Sequence, residues 1–434
     1  MIGSGEHDEV AEICRDLIRI DSSNWGDGSG QGERAAAEYV AGELAECGVQ
    51  ATILESAPKR ANVLARITGT DPTLPALLVH GHLDVVPAVE DGWRFPPFSG
   101  EIADDCVWGR GAVDMKDMDA MILAVVRRWA RDGVRPRRDI VLAFLADEEA
   151  GGRHGSHWLV DHHPEQFEGC AEAISEVGGF SVTLANEARL YLVETAQKGL
   201  AWLRLTARGP AGHGSMTNDG NAVAALVDAL GRLTAHQWPV RLTPTVRRLL
   251  DGVADTLGLD PATPPDDIVR HLGPLARMVG ATLRNTAAPT MLDAGYKVNV
   301  VPAAATAHVD GRFLPGHEEE FMATVDRLLG PGIERETVHH DIALETGFSG
   351  DLVSAMVSAL RAEDPEAGVL PYCLSGGTDN KAFARLGIRG YGFVPLRLPP
   401  DLDFSGMFHG VNERVPLAAL RFGARVLDRL LVAY

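Results

Sequence analysis

Short apolar runs alternate with helical patterns along the first 180 or so residues of the chain. Residues 76–80 (ALLVH), 140–146 (IVLAFLA) and 171–175 (AEAIS) have the length and composition of strands. Continuous apolar runs of this kind are typical of strands that are buried on both faces. Between the first two runs, a single helical face carries Met118, Met121, Ile122, Val125 and Trp129. The pattern therefore predicts α/β architecture, with a helix that ends near Gly133.

The pattern changes near residue 199. Residues 200–207 (LAWLRLTA) alternate like a strand with one exposed face, and residues 221–233 have helical periodicity. Residues 297–312 contain another strand pair. The Pro- and Thr-rich stretch 240–290 predicts no clear element. A second, smaller α+β unit therefore begins near residue 199.

After Pro315 the α/β pattern returns, and it ends in an amphipathic helix near the C-terminus. The simplest interpretation is a two-domain α/β protein with a mixed sheet. We expect residues 1–198 and 316–434 to form a discontinuous larger domain, interrupted by a smaller domain over residues 199–315.

Composition and charge exclude several classes of protein. The 434 residues include 40 Lys and Arg against 60 Asp and Glu, which gives a formal net charge of −20. This balance argues against binding to nucleic acid or to an anionic membrane surface. The chain has no apolar run long enough for a membrane-spanning helix, and its first residues have no secretory pattern. Five scattered cysteines indicate reduced thiols, so we expect a cytoplasmic protein.

The candidate chemistry lies at the ends of the predicted strands. The first strand leads into His82 and Asp84, the second into Glu148 and Glu149, and the third into Glu176. In open α/β sheets, ligands bind at the carboxyl ends of the strands. We therefore expect these side chains to meet at one rim of the sheet.

Further ligand candidates are Asp114, just before the predicted helix, and His409, near the C-terminus. Carboxylates that crowd together repel one another unless cations neutralise them. Histidine together with Asp and Glu is the ligand set of zinc and similar ions. Two metal ions sharing one carboxylate would account for so many acidic groups, and His409 would supply a second imidazole.

Six motifs occur in order along the chain: HLD at 82–84, GRGAVDMK at 109–116, DEE at 147–149, SEVGG at 175–179, GTDN at 377–380 and FHGVNERV at 408–415. Each is weak alone, but the ordered set resembles the M20 family of metallohydrolases. That family includes aminoacylases, carboxypeptidases, dipeptidases and deacylases such as succinyl-diaminopimelate desuccinylase and acetylornithine deacetylase. The resemblance covers essentially the whole chain, and it implies a zinc-peptidase-like catalytic domain with an inserted lid and dimerisation domain.

The resemblance implies two divalent metal ions. His82 and Glu176 would bind one ion, Glu149 and His409 the other, and Asp114 would bridge both. Zinc is the expected metal, and cobalt or manganese can serve the same ligands. A cis peptide bond between Asp114 and Met115 is also implied.

Three further residues are implied to take part in catalysis. Glu148 would be the general base, and Asp84 would orient His82. His213, in the GHGS segment of the lid, would reach the active site of a neighbouring protomer and stabilise the oxyanion there. The resemblance therefore implies a homodimer.

Four positions match residues of the family that hold the substrate: Asn299, Arg312, Gly377 and Thr378. Arginine suits a carboxylate because its planar fork donates two parallel hydrogen bonds. The implied function is hydrolysis of an amide bond in an N-acyl amino acid or a short peptide with a free carboxylate.

Two alternatives remain open at this point. A related M28-type aminopeptidase would use similar ligands, but it would need a free α-amine and no inserted lid. A metal-binding module without catalysis is the other alternative, although it would have no use for Glu148 beside Glu149. The family motifs do not decide the subgroup, and the stretch 236–293 makes the lid longer than in a minimal member.

Overall fold

The computed structural model describes residues 8–434. The seven residues before them, on which the expectation of no secretory pattern partly rests, lie outside the described part. Within residues 8–434, no helix has both the length and the hydropathy needed to cross a bilayer.

The secondary structure alternates between helices and strands along most of the chain. The helices are α1 Glu9–Ile18, α2 Arg34–Glu46, α3 Lys116–Asp132, α4 Ser156–His162, α5 Ala222–Ala235, α6 Pro244–Leu257, α7 Pro265–Arg270, α8 Ala276–Gly280, α9 Glu318–Leu329, α10 Asp351–Glu363, α11 Asn380–Ala384 and α12 Leu417–Ala433. The strands are β1 Ala51–Ala57, β2 Arg60–Ile67, β3 Ala76–His82, β4 Glu101–Ala103, β5 Cys106–Trp108, β6 Ile140–Leu145, β7 Cys170–Ser175, β8 Phe180–Thr183, β9 Arg189–Gln197, β10 Gly199–Arg208, β11 Gly212–His213, β12 Thr286–Ala294, β13 Val300–Val301, β14 Ala304–Phe313, β15 Ile333–Asp341, β16 Leu344–Glu345, β17 Gly368–Leu374, β18 Arg389–Gly392 and β19 Arg414–Pro416. The three predicted strands are confirmed as β3, β6 and β7. The predicted helix is confirmed as α3, which ends at Gly133 with a left-handed φ of 67°.

A large mixed sheet forms the core of the molecule, with strand order β1-β2-β6-β3-β7-β18-β9-β16 over the described residues. Its central strands β6, β3 and β7 are parallel neighbours. Alternate residues of β3 belong to two different apolar clusters. Leu77 lies in the cluster that includes residues of α1, α3 and α12, whereas Leu78 lies in the cluster that includes residues of α4 and α11. Burial on both faces explains why these strands are continuous apolar runs.

A smaller antiparallel sheet, with order β12-β14-β10-β15, is covered by α5 and α9. Asn221 begins α5 by accepting hydrogen bonds from the backbone N–H groups of Val223 and Ala224. The apolar positions of β10 and β14 face these two helices, while the alternate positions are more exposed. The predicted fold class, an α/β domain interrupted by a smaller α+β domain, is therefore confirmed.

The end of the smaller domain lies later in the chain than the predicted residue 315. Strand β15 pairs with β10 along most of its length, and Phe321 and Val325 of α9 are buried in the core of the smaller sheet. Helices and strands follow one another in both domains, so the local pattern after Pro315 did not show which sheet these elements join. The smaller sheet continues to Asp341.

The stretch 244–283, predicted to belong to the inserted domain, packs instead against the large sheet. Helix α6 buries Val246, Leu249, Leu250 and Val253 in the main apolar core, where it lies against β17. These residues fall at helical spacing, so one face of α6 is apolar. The inserted domain therefore does not include this stretch, whose helices pack with the larger domain.

Candidate metal centre

The carboxyl ends of three adjacent parallel strands bring the predicted ligands together. His82 is the last residue of β3, and Glu176 directly follows β7. Glu148 and Glu149 lie in a single turn of 3-10 helix after β6. The residue before this turn, Asp147, has a left-handed φ of 69°, which directs the chain sharply out of the strand.

Asp114 lies between two imidazoles. Its Oδ1 is 3.1 Å from Nε2 of His82, and its Oδ2 is 3.3 Å from Nε2 of His409. Glu176 Oε2 lies 3.5 Å from the His82 nitrogen, and Glu149 Oε2 lies 3.1 Å from the His409 nitrogen. The structure thus forms two sets of donor atoms that share Asp114. The Asp114–Met115 peptide bond is cis, as the resemblance implies.

The donor sets suit divalent metal ions. Within each set, one ligand atom per residue lies within 4.8 Å of the others. Tetrahedral zinc with bonds of about 2.0–2.2 Å places its donors roughly 3.3–3.6 Å apart. The four separations between imidazole nitrogens and carboxylate oxygens, 3.1–3.5 Å, lie close to that spacing. Nitrogen and carboxylate donors are also the ligand types that zinc and related ions prefer.

The electrostatics of the site favour bound cations. Burial and the carboxylate of Glu176 raise the pKa of Glu148 well above its usual range. Burial and Asp114 raise the pKa of Glu149 to about 7. Hydrogen bonds with Asp114 and Glu149 raise the pKa of His409 to about 10. The acids therefore retain protons or draw them onto the imidazole, and divalent cations would relieve this repulsion.

Asp84 contacts His82 through its backbone and the glutamate turn through its side chain. Nδ1 of His82 donates its hydrogen bond to the backbone carbonyl of Asp84 at 2.9 Å, whereas the Asp84 carboxylate is 3.6 Å away. That carboxylate instead accepts hydrogen bonds from the backbone N–H groups of Glu148 and Glu149, both at 3.1 Å. The Asp84 side chain therefore positions the turn that carries both glutamates, while its backbone orients His82.

Behind Asp84 lies a buried network that the sequence analysis missed. Asn24 donates to Asp84 at 2.9 Å and to Asp147 at 3.0 Å, and its own oxygen accepts from Arg60 at 2.9 Å. Arg60 also forms an ion pair with the fully buried Glu33. The chain positions of these residues gave no signal, because 36 residues separate Asn24 from Arg60.

A second buried pair holds the His409 loop. Glu413 accepts hydrogen bonds from Arg110 at 2.7 Å and from the backbone N–H of Val113 at 2.8 Å. These contacts fix the loop after His409 against the turn that ends in Asp114. Both residues lie within the recognised motifs GRGAVDMK and FHGVNERV, so the sequence carried this signal although it assigned no role to them.

A cleft of about 460 Å³ lies beside the ligands. It is lined by Asp114, Glu148, Glu149, Glu176, Val177, Arg277, Met278, Leu374, Ser375, Gly376, Gly377, Ser405, Phe408 and His409. Of the predicted substrate residues, Gly377 therefore lies in the cleft. Thr378 is buried, and both its hydroxyl and its N–H are hydrogen-bonded to Gln197.

The three lid residues lie elsewhere in the described structure. Exposed His213 is in the short strand β11, which pairs with β13, and Asn299 accepts a hydrogen bond from Gly214 at 2.9 Å. The pair of strands β11 and β13 therefore brings His213 and Asn299 close together. Arg312 lies on β14, where its guanidinium contacts Asp310. None of the three residues is among those lining the cleft.

Comparisons with known proteins agree with this architecture. The model of peptidase family M20/M25/M40 matches residues 78–433. A probable carboxypeptidase S-like 2 of Dictyostelium discoideum is 28% identical over 374 residues, which are 80% of this chain and 70% of that protein. Aminoacylase-1 of Sus scrofa is 26% identical over 99% of this chain and 96% of its own length.

Among solved structures, the M20 family metallo-carboxypeptidase Sso-CP2 from Sulfolobus solfataricus has the same fold. It superposes with a TM-score of 0.75 at 18% identity, covering 98% of this chain and 99% of that one. The family match spans most of the chain and includes every residue of the two donor sets. The protein therefore belongs to peptidase family M20/M25/M40 and is an amide-bond hydrolase.

Proposed function

We propose that the protein is a di-metal amidohydrolase that cleaves N-acyl amino acids or short peptides with a free carboxylate. One observation carries this proposal. The two carboxylate oxygens of Asp114 face two different imidazoles, while Glu148 lines the same cleft without belonging to either donor set. This arrangement provides a place for two ions and leaves one carboxylate free for proton transfer.

His82, Asp114 and Glu176 would hold one ion, and Asp114, Glu149 and His409 the other. Bound there, two divalent ions polarise the substrate carbonyl and lower the pKa of water. Zinc is the ion we propose, since the donors are two imidazoles and three carboxylates.

Glu148 is the proposed general base. Its backbone N–H donates a hydrogen bond to Asp84, and its side chain lines the cleft. In the proposed reaction it accepts a proton from the attacking water and then delivers that proton to the leaving nitrogen. A positioned base of this kind contributes roughly a hundred- to ten-thousandfold in rate.

His213, Asn299 and Arg312 are proposed to act from the lid. Because His213 is exposed and lies outside the cleft of its own chain, we propose that it donates a hydrogen bond to the oxyanion in the active site of a partner subunit. One such donor is worth roughly 3–4 kcal/mol. Asn299 would hold the substrate from the same pair of strands, and Arg312, once released from Asp310, would hold a polar group of the substrate other than the one bound by the larger domain. The proposed assembly is a homodimer.

The cleft volume supports a small substrate. About 460 Å³ lies within the range for small-molecule sites. Two of the relatives are named as an aminoacylase and a probable carboxypeptidase, which are names for enzymes that act on amide bonds. These names support N-acyl amino acids and peptides as the first substrates to test.

The test is release of amine from a mixed panel, with the protein loaded with zinc or stripped by a chelator. The panel holds N-acetyl amino acids, dipeptides, N-succinyl-diaminopimelate and amides with a free α-amine. We expect metal-dependent release from the carboxylate-bearing substrates. Release only from free-amine amides would contradict the proposal and favour an aminopeptidase.

A further inference from the structure

The helical stretch 273–283, which the sequence pattern left unassigned, supplies part of the cleft wall. Arg277 and Met278 of α8 line the cleft together with the metal-ligand candidates. The apolar side chains of Val177, Leu374 and Phe408 line the cleft beside them. The larger domain therefore adds to the cleft a surface that is apolar and carries one basic group.

This wall is anchored firmly to the rest of the domain. The buried ammonium of Lys198 donates to the backbone carbonyls of Ala281 at 3.0 Å and Arg284 at 2.9 Å. Ser405 donates to the carbonyl of Pro274 at 3.1 Å. Val279 is fully buried in the main core, next in the chain to Met278. The wall is thus in place without any movement of the lid.

The positive charge of Arg277 has no counterion among the described residues of the cleft once two divalent ions neutralise the carboxylates there. Asp114, Glu148, Glu149 and Glu176 together carry four negative charges when ionised, which equals the charge of two divalent ions. Among the residues that line the cleft, Arg277 is the one side chain with a permanent positive charge. It is exposed, and it has no ion pair within residues 8–434. A local cation of this kind attracts an anionic substrate even when the net charge of the whole protein is −20.

Arg312, by contrast, is already engaged. Its Nε lies 2.7 Å from Oδ1 of Asp310, and its Nη2 lies 3.2 Å from Oδ2. The Nε and Nη2 side of its guanidinium, one of the two edges that can bind a carboxylate in a bidentate manner, is therefore used within β14, and Arg312 does not line the cleft. Arg277 is free to form the same bidentate contact with a substrate.

We propose that Arg277 binds the free carboxylate of the substrate, while Met278 and Phe408 contact its apolar side chain. The substrate class is then an N-acyl amino acid with an apolar side chain. This inference rests on the proposed function, which supplies the scissile amide. It assigns the carboxylate contact to α8 of the larger domain and not to the lid.

The test compares the free acid and the carboxamide of N-acetylmethionine in the zinc-loaded protein, measured as kcat/KM for acetate release. The wild-type protein should prefer the acid. Loss of a charge-assisted pair should make R277Q roughly ten- to a hundredfold slower on the acid and leave the carboxamide nearly unchanged. R277K, which keeps the charge without the fork, should retain part of the preference. The matched control R361Q removes an exposed arginine on α10 and should behave as wild type.

Two results would contradict the assignment of the carboxylate to Arg277 and leave the proposed function standing. The first is a wild-type preference for the acid that survives in R277Q. The second is a preference that disappears in R312Q but not in R277Q, which would place the carboxylate at the lid. A wild-type protein that hydrolyses no carboxylate-bearing substrate would instead contradict the proposed function itself.

Discussion

At the scale of single residues, Asp84 connects the candidate metal centre to Glu148, the proposed general base. Its backbone carbonyl accepts from the His82 ring, and its carboxylate accepts from the backbone N–H groups of Glu148 and Glu149. Asn24 donates a third hydrogen bond to the same carboxylate. Removing the carboxylate charge should loosen the turn without removing any metal ligand.

We therefore expect D84N to keep both ions and to lower kcat roughly ten- to a hundredfold, because an amide nitrogen cannot accept the backbone hydrogen bonds. The measurement pairs steady-state kinetics with metal analysis of the purified variant. D401N, at an exposed aspartate, is the matched control. Loss of metal in step with activity would instead indicate that Asp84 supports the ligands and not the base.

The sequence predicted the residues of the candidate site better than the residues that support them. His82, Glu148, Glu149 and Glu176 directly follow apolar runs, so their meeting at one sheet edge followed from the strand pattern. Asn24, Arg60 and Glu33 belong to no pattern of this kind. Their contacts depend on how separate segments pack, which local spacing does not encode.

At the scale of elements, helix α6 shows how far hydrophobic spacing predicts the structure and where it stops. Val246, Leu249, Leu250 and Val253 have the spacing of one helical face, yet Pro and Thr residues around them obscured the helix. The spacing also leaves open which sheet receives that face, because an apolar stripe fits either core. Only the tertiary contacts with β17 place α6 in the larger domain.

Truncating this face should destabilise the main core. We expect V253A to lower the free energy of unfolding by about 2 kcal/mol, since a fully buried Val loses two methyl groups and leaves a cavity. Denaturant unfolding measures the change. V89A, at a side chain that is 69% exposed, should lower the free energy of unfolding by less than about 0.5 kcal/mol. Equal losses in the two variants would contradict the placement of α6.

At the scale of the whole molecule, the proposed roles of His213, Asn299 and Arg312 require a partner subunit or a movement, because none of the three lines the cleft. His213 is exposed and does not line the cleft of its own chain. The proposal that it serves the partner subunit predicts complementation. Variants H213A and E148Q should each be nearly inactive. Every active site of an H213A dimer lacks the oxyanion donor, and every active site of an E148Q dimer lacks the general base.

Mixing the two variants under conditions of subunit exchange should restore activity. Half of the dimers would be mixed, and each mixed dimer would hold one intact site, so recovery should approach about a quarter of the wild-type rate. Light scattering of the wild-type protein should give the mass of a dimer. A mixture that stays as inactive as its components would contradict action across subunits.

The central claim is that Glu148 moves a proton beside two ions that it does not bind. The direct measurement is metal content together with the rate of acetate release from N-acetylmethionine, in E148Q and in the wild-type protein. We predict two ions per chain in both proteins and a rate at least about a hundredfold lower in E148Q. Near-normal turnover, or an E148Q protein that loses an ion, would contradict the claim.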